Sequence, residues 1–232
     1  MIVQKPQVLV PESEMDSKML NKLERYARVC YKSEGQMMAQ GDPNFLKRIV
    51  KSGHESIIEH EKISVMFIID RGISHEIVRH RVGSAYSQES TRYCNYSKNK
   101  FGNEITVIEP FFFIDDQQAY QNWMNACQTA EENYMALLDS GRSPQEARSV
   151  LPNSLKTEIV VTYNMREWRH FFRLRCDSAA HPQMRQVTIP LLLLFQEKFP
   201  VLFADIEYDR NFPPDHYAQI IMTDDLFNQL LL

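Results

Sequence analysis

Two stretches of this sequence concentrate side chains that bind anions. The first, VRHRVGSAYSQESTRYC (residues 78–94), places Arg79, His80 and Arg81 in a row and follows them with hydroxyl side chains and Arg92. The second, residues 164–185, contains five arginines and two histidines. A guanidinium is planar and permanently charged, and it can hold a phosphate or a carbonyl edge with two hydrogen bonds. Both stretches therefore predict a place where an anionic ligand binds.

The structural alternative for the second stretch is a solvated basic face. On a helix over residues 164–175, apolar side chains would face the core and basic ones would lie on the opposite side, about one turn apart. The core-facing set is Trp168, Phe171 and Phe172, and the opposite set is Arg166, Arg169, His170 and Arg173. Because both basic stretches follow predicted strands in an acidic chain, we favour a shared anion site.

The chain as a whole does not share this positive charge. Its 232 residues carry a formal net charge of −4, which argues against broad, non-specific binding to nucleic acid, so the anion site must be local. The composition, 44% hydrophobic and 24% charged, is that of a soluble globular protein. The longest apolar run, residues 190–195, is too short to cross a bilayer, and the N-terminus lacks a signal-peptide pattern. We expect a cytoplasmic protein whose four scattered cysteines are free thiols.

Apolar periodicity predicts the elements that must position the basic stretches. Alternation predicts strands at residues 61–70, 104–110 and 157–163. Helical spacing predicts helices at 14–31, 43–52, 73–81, 116–140, 164–175 and 182–199, and a short helix from Pro144 that includes Arg148. Asp42 is predicted to be the N-cap of the helix at 43–52 and Pro43 its first residue. Pro190 should kink or restart the helix at 182–199. No strand–helix–strand alternation recurs, so we predict a single α+β domain over residues 1–232 rather than a doubly wound sheet.

Three other kinds of site can be weighed from the sequence. His54 and His60 are six residues apart, about 240° around a helix, so they cannot form the two-histidine zinc motif, and we expect no metal site. Cys94 and Cys176 have arginines nearby in sequence, which suits a nucleophilic thiol, but we interpret both as packing residues. The sequence contains neither common glycine-rich phosphate loop.

Taken together, these blocks resemble the flavin-dependent thymidylate synthases. RHR (79–81), Ser90 and TRY (91–93) resemble the defining motif of that family. HESIIEH (54–60), ARSVLP (147–152) and NMREWRHFFRLR (164–175) occur in the family's order, so the likeness covers about residues 20–200. There are three departures. Eight residues separate RHR from Ser90, one more than the commonest spacing, Cys30 stands where many relatives have serine, and the segment CDSAAHPQM (176–184), which contains His181, is longer than in some relatives.

The resemblance implies a fold and a reaction. The family fold is a single α+β domain in which long helices flank a small, mostly antiparallel sheet. Its members methylate dUMP at C5 to give dTMP, taking the carbon from methylenetetrahydrofolate and the hydride from FAD reduced by NADPH. They form no obligatory cysteine adduct with the uracil. They assemble as homotetramers whose active sites are shared between subunits, and neither nucleic acid nor membrane is an expected partner.

The resemblance also implies roles for individual residues. FAD would be bound by Ser56, Arg79, His80, Arg81, Asn164, Met165, Arg166 and His170. The substrate dUMP would be bound by Glu76, Arg79, Ser87, Gln88, Glu89, Ser90, Thr91, Arg92, Arg148 and Arg175. Arg175 would lie at the uracil edge and stabilise the ring deprotonated at N3, which activates C5 without a covalent adduct.

Two other functions remain open on the sequence. The arginine stretches of a nucleic-acid-binding module would contact phosphates while Tyr86, Tyr93 and Tyr96 stack on bases. A flavoprotein of the same fold could act on another nucleotide or be inactive. The C-terminal segment, residues 224–232, is predicted to be either a packed helix or an interface element.

Overall fold

The computed structural model describes residues 1–37, 41–98 and 102–226, so residues 227–232 of the predicted C-terminal element lie outside the described residues. The strands of the described chain are β1 (Ile2–Gln4), β2 (Gln7–Val10), β3 (Lys62–Asp70), β4 (Ser84–Gln88), β5 (Thr106–Ile108), β6 (Lys156–Asn164) and β7 (Gln219–Met222). Its α-helices are α1 (Lys18–Tyr31), α2 (Pro43–Lys51), α3 (Arg71–Ile77), α4 (Gln117–Asp139), α5 (Pro144–Ala147), α6 (Met165–Arg175), α7 (Pro182–Lys198) and α8 (Pro200–Phe203). This content confirms the α+β class. No helix of this part of the chain is both long and apolar enough to span a membrane.

The described chain forms two compact units. The first unit comprises residues 1–7, 67–79 and 87–160. The second unit comprises residues 8–66, 80–86 and those from 161 to the end of the described chain. The single domain predicted over residues 1–232 stays a prediction.

The first unit is built on a parallel strand pair and a long helix. β1 pairs with β5 in the register Ile2–Thr106 to Gln4–Ile108. α4 begins after Asp116, whose side chain caps it by accepting a hydrogen bond from the Ala119 N–H at 3.0 Å. The buried core of this unit consists of Tyr96, Ile105, Val107, Cys127, Tyr134, Ala147 and Leu155.

The second unit contains part of every strand of a five-stranded sheet, whose order is β4-β6-β3-β2-β7. The predicted core face of α6 is confirmed, because Trp168, Phe171 and Phe172 are fully buried. Trp168 and Phe172 pack on Phe195, Phe172 also packs on Phe203, and Phe171 packs on Trp168, all with ring centroids 5–6 Å apart; such aromatic contacts bury large apolar areas. These contacts fix the orientation of α6. Its opposite face carries the exposed basic residues Arg166, His170 and Arg173.

The structure differs from the predicted elements in five places. α8 was not predicted, and α5 ends at Ala147, so Arg148 lies in the 3₁₀ turn that follows α5 and not in the helix. The strands β1, β2, β4 and β7 were missed, since each has only three to five residues and a weak alternation. The hydroxyl-rich run thus contains a strand. α3 ends at Ile77, so RHR follows the helix instead of completing it. α7 is continuous through Pro190, because the Gln186 carbonyl that proline leaves without a helical partner accepts the Ala218 N–H at 2.9 Å.

Candidate active site

The start of α6 fixes the loop that follows RHR. β6 ends at Asn164, and the Asn164 side chain caps α6 by accepting a hydrogen bond from the Glu167 N–H at 2.8 Å. The Asn164 N–H donates to the Gly83 carbonyl at 3.3 Å. Gly83 has φ +65°, and a Cβ at that position would collide with the Asn164 side-chain amide. Only glycine permits this close approach, which brings residues 80–86 against the beginning of α6.

His80 is buried at the centre of this arrangement. Its Nδ1 lies 3.0 Å from Glu167 Oε1, and its Nε2 accepts a hydrogen bond from Arg175 Nε at 3.1 Å. The ring also lies 5.4 Å from the His170 ring, measured between centroids. Burial, followed by the nearby charges of Arg175 and His170, lowers the pKa of His80 to about 4. His80 is therefore a neutral imidazole at neutral pH.

Arg169 corrects the prediction that it lies on the exposed basic face. Its side chain is 1% exposed, its Nη1 and Nη2 each lie 2.7 Å from an oxygen of Asp205, and its Nε lies 3.0 Å from Glu55. Arg169 lies at the edge of the buried face of α6, four residues after Met165 and three before Phe172, and its ion pairs with Asp205 and Glu55 make its burial possible. Arg169 is thus a structural ion-pair residue.

The other predicted flavin residues of the second unit divide between surface and core. Arg81, Arg166 and His170 are exposed, whereas Met165 is fully buried and donates its N–H to the Glu61 carbonyl at 2.9 Å. Arg166 forms an ion pair with Glu59 at 2.6 Å. A cavity of about 330 Å³ brings Ser56 and Arg166 together, and its other walls are formed by Cys30, Tyr31, Gly53, His54, Glu55 and Ile57.

The first unit holds most of the residues predicted to bind dUMP. Arg148, which begins a 3₁₀ turn just after α5, donates from Nη1 to the Thr91 hydroxyl at 3.2 Å. The turn that contains Thr91 is closed by hydrogen bonds from the N–H groups of Tyr93 and Cys94 to the Ser90 carbonyl. The Ser90 hydroxyl accepts from the exposed Arg92 N–H at 3.3 Å. Ser90, Thr91 and the backbone of Arg92 therefore form one turn, and the Arg148 guanidinium contacts it at the Thr91 hydroxyl.

The side chains of two other residues predicted to bind the substrate are hydrogen-bonded within the first unit. The Gln88 side chain donates to the hydroxyls of Ser74 at 2.9 Å and Thr157 at 3.1 Å. Glu89 accepts from the Tyr96 hydroxyl at 2.7 Å, and burial, followed by the charge of Glu89 and this contact, raises the pKa of Tyr96. Three more residues of this unit were predicted to bind the substrate. Ser87 and Arg79 are exposed. Glu76 is half-buried, and its carbonyl accepts the Arg79 N–H at 3.2 Å.

The buried cysteines and tyrosine do not suit the alternative functions. Burial raises the pKa of the Cys176 thiol to about 12, so it stays protonated and is a poor nucleophile. All four cysteines are free thiols, as predicted, with Cys30 exposed and Cys94 half-buried. Tyr96 is buried in the core of the first unit and cannot stack on a base, although Tyr93 is exposed.

Sequence reasoning missed Glu167 as a site residue. Its position, third in a helix capped by Asn164, is fully explained by helix capping, and nothing in the sequence links it to a histidine 87 residues away. Glu167, His80 and His170 also bring three ligand-type atoms within 4.8 Å of one another, a grouping that the sequence did not predict.

Comparison with known proteins places these features in a family. Residues 14–201 match the thymidylate synthase complementing protein family. The flavin-dependent thymidylate synthase of Geobacter sulfurreducens is 36% identical over 186 residues, which cover 77% of this chain and 78% of that protein. The flavin-dependent thymidylate synthase of Corynebacterium aurimucosum is 34% identical over 214 residues, covering 84% and 82%.

A solved structure shares the fold. The UMP/dUMP methylase PolB from Streptomyces cacaoi, bound with 5-Br dUMP, superposes with a TM-score of 0.71 at 18% identity, covering 88% of this chain and 96% of that one. At this identity the likeness concerns the fold alone. The family match and the two bacterial relatives confirm what the order of the motifs predicted: this chain belongs to the flavin-dependent thymidylate synthase family.

Proposed function

We propose that this protein is a FAD-dependent methyltransferase that converts dUMP to dTMP. Methylenetetrahydrofolate is the carbon donor, and bound FAD, reduced by NADPH, supplies the hydride. The observation that carries the proposal is the Arg175–His80 hydrogen bond at 3.1 Å, because it joins the two basic blocks of the family motif in a single contact. Because His80 is neutral, it accepts the Arg175 hydrogen bond without repelling the guanidinium. This contact holds the cation in one orientation.

The residues of the second unit fit an anionic flavin nucleotide. The cavity beside Arg166 offers a guanidinium, the Ser56 hydroxyl and the Tyr31 ring, which are suitable partners for phosphate and for a flat heterocycle. The Tyr31 hydroxyl is itself hydrogen-bonded to His54 Nδ1 at 2.9 Å. We propose that Ser56 and Arg166 hold FAD together with Arg81 and His170, which are also exposed.

The residues of the first unit fit the phosphate of dUMP. Ser90, Thr91, Arg92 and Arg148 carry two hydroxyls and two guanidinium groups, and the Arg148 guanidinium contacts the Thr91 hydroxyl. The N–H groups of Arg92, Tyr93 and Cys94 are bonded within the turn, so the side chains would hold the phosphate. Such a set binds a phosphate by charge-assisted hydrogen bonds. We propose that Gln88 and Glu89 act mainly by holding this turn in place, since their side chains are engaged within the unit.

Arg175 is proposed to activate the uracil ring. A guanidinium at O2 and N3 stabilises the negative charge that develops when N3 loses its proton, and it thereby raises the electron density at C5. This route needs no thiolate, in agreement with the protonated, buried state of Cys176. We further propose that the protein is cytoplasmic and assembles as a homotetramer with shared active sites, which is the arrangement that family membership implies.

Anaerobic absorption spectra test the flavin and the substrate together. The purified protein should show an oxidised flavin band that bleaches with NADPH, faster when dUMP is present, and dTMP should form when methylenetetrahydrofolate is added. A protein that stays colourless after incubation with FAD would contradict the proposal. The same assay with UMP in place of dUMP tests the alternative that another nucleotide is the substrate.

Substitution of Arg175 tests its proposed role. R175A should retain FAD and lose dTMP formation, because the cation at the uracil edge is missing. R173A is the matched control, since Arg173 lies on the same helix, is 45% exposed and forms only long ion pairs with Glu55 and Asp205. Normal turnover by R175A would refute the role.

A further inference from the structure

Three side chains form a continuous hydrogen-bonded series. Glu167 Oε1 lies 3.0 Å from His80 Nδ1, and Arg175 Nε lies 3.1 Å from His80 Nε2. Glu167 and His80 are both buried, whereas Arg175 is half-buried. His80 thus separates a carboxylate from a guanidinium, and its two ring nitrogens contact one of them each.

The chemistry of arginine fixes the tautomer of His80. Arginine Nε is only a donor, so His80 Nε2 must be the unprotonated nitrogen that accepts. The ring proton is therefore on Nδ1, where it is donated to the Glu167 carboxylate. A carboxylate behind a histidine selects this tautomer and fixes the plane of the ring, as it does for histidines that bind metals or act as bases. Here the oriented group is the guanidinium of Arg175.

The surroundings of His80 hold the ring in its neutral form. The ionisable side chains near it on α6 are Glu167, His170 and Arg175. Tyr163 of β6 is also near, with 6.1 Å between the centroids of the His80 and Tyr163 rings. The Tyr86 hydroxyl donates to the His80 carbonyl and accepts from the Tyr163 hydroxyl, so the loop backbone is fixed as well. Protonation of Nε2 would replace an accepted hydrogen bond by repulsion between two cations, and burial opposes it further.

A metal site is the competing use of the same cluster. Glu167, His80 and His170 each offer a ligand atom, and these atoms lie within 4.8 Å of one another. A metal would need a lone pair from His80, but the Nε2 lone pair accepts the Arg175 N–H and Nδ1 carries the proton. Metal binding would therefore require the Arg175 contact to break or the tautomer to invert.

We infer that Glu167 is a positioning residue for Arg175 and acts through the neutral imidazole of His80. The inference rests on the proposed role of Arg175 at the uracil ring. Glu167 itself need not touch substrate or cofactor. By holding the His80 ring, it holds the Arg175 guanidinium in one orientation, so the cation is already in place when charge develops on the substrate.

Two variants of Glu167 test the inference in the flavin-loaded enzyme. E167M removes the acceptor and keeps the apolar volume, so we expect kcat to fall about 10- to 100-fold, with the KM for dUMP and the FAD content within about threefold of wild type. E167Q keeps an amide oxygen that can accept from Nδ1–H, so its kcat should lie between those of E167M and wild type. E146Q is the control, because Glu146 is also the third residue of a capped helix but is exposed, and its side chain accepts hydrogen bonds from Ser143.

The outcomes separate this inference from the proposed function. A wild-type enzyme that forms dTMP, together with an E167M variant of unchanged kcat, would overturn the inference and leave the function intact. Equal losses in E167M and E167Q, or a loss in E167M confined to FAD content, would also overturn it. Removal of activity by EDTA and its recovery with Zn²⁺ would assign the cluster to a metal instead.

A measurement on the unmodified protein keeps the inference testable if E167M does not fold. In the ¹⁵N-histidine NMR spectrum of the flavin-loaded enzyme, with the H80N variant used to assign the signal, His80 should be neutral with its proton on Nδ1. A proton on Nε2, or a doubly protonated ring at pH 7, would refute the hydrogen-bonded series.

Discussion

Replacing Arg169 by methionine is expected to destabilise the protein by about 3 kcal/mol. Breaking a buried ion pair by removing one partner costs about 3–5 kcal/mol, because the remaining charge loses its compensation. Arg169 is 1% exposed and contacts Asp205 through two nitrogens at 2.7 Å, Glu55 at 3.0 Å and the Leu202 carbonyl. Asp205 is 56% exposed and can be solvated by water when the arginine is removed, so we take the lower end of the range.

Arg173 provides the matched comparison, because it approaches the same two carboxylates. Its Nη2 lies 3.5 Å from Glu55 and 3.6 Å from Asp205, and its side chain is 45% exposed. Exposed pairs contribute about 0–1 kcal/mol, so R173M should cost less than about 1 kcal/mol. Urea unfolding of the flavin-loaded proteins, followed by circular dichroism, gives both free energies of unfolding. Equal losses in R169M and R173M, or a loss below about 1 kcal/mol in R169M, would refute the reasoning.

The pH dependence of D205N checks the same ion pair. Hydrogen bonding to Arg169 lowers the pKa of Asp205 below its ordinary value of 3.8. A lowered carboxyl pKa stabilises the folded state above the ordinary value, and the contribution disappears as the pH falls through the folded-state pKa. The difference in free energy of unfolding between wild type and D205N should therefore be constant from about pH 8 to 5 and shrink below about pH 4. A difference that grows on acidification would contradict the assignment.

Two further predictions concern single residues. Ellman's reagent should label exposed Cys30 in the native protein. It should reach Cys176 only on unfolding, since burial raises the pKa of that thiol to about 12. Rapid labelling of the native protein that persists in C30S and is lost in C176S would contradict the burial of Cys176. G83A should lower the free energy of unfolding by about 2 kcal/mol or more, because it combines a positive φ with a collision against Asn164. G53A, with φ +76° and open space around the added Cβ, should lower it by about 1 kcal/mol. Equal losses for the two variants in urea unfolding would show that the collision is relieved.

The sequence by itself determined the local structure and the family. Helix and strand periods depend on residues a few positions apart, so β3, β6, α4 and α6 lie within a few residues of their predicted bounds. Asp42 caps α2 as predicted, since an N-cap bonds to residues only two or three positions ahead. The motif blocks were recognisable in sequence because each is a short contiguous run. The roles of their residues toward FAD and dUMP stay predictions.

Tertiary structure decided what distant residues do to one another. The periodicity of α6 placed Arg169 on its basic side, but Asp205, 36 residues away, makes its burial possible. The Ala218 N–H, 28 positions past Pro190, satisfies the carbonyl that should have broken α7. His80 contacts partners 87 and 95 residues along the chain, and its neutral tautomer follows from those two contacts alone. Such pairings depend on which surfaces fold together, and no local pattern of residue types encodes them.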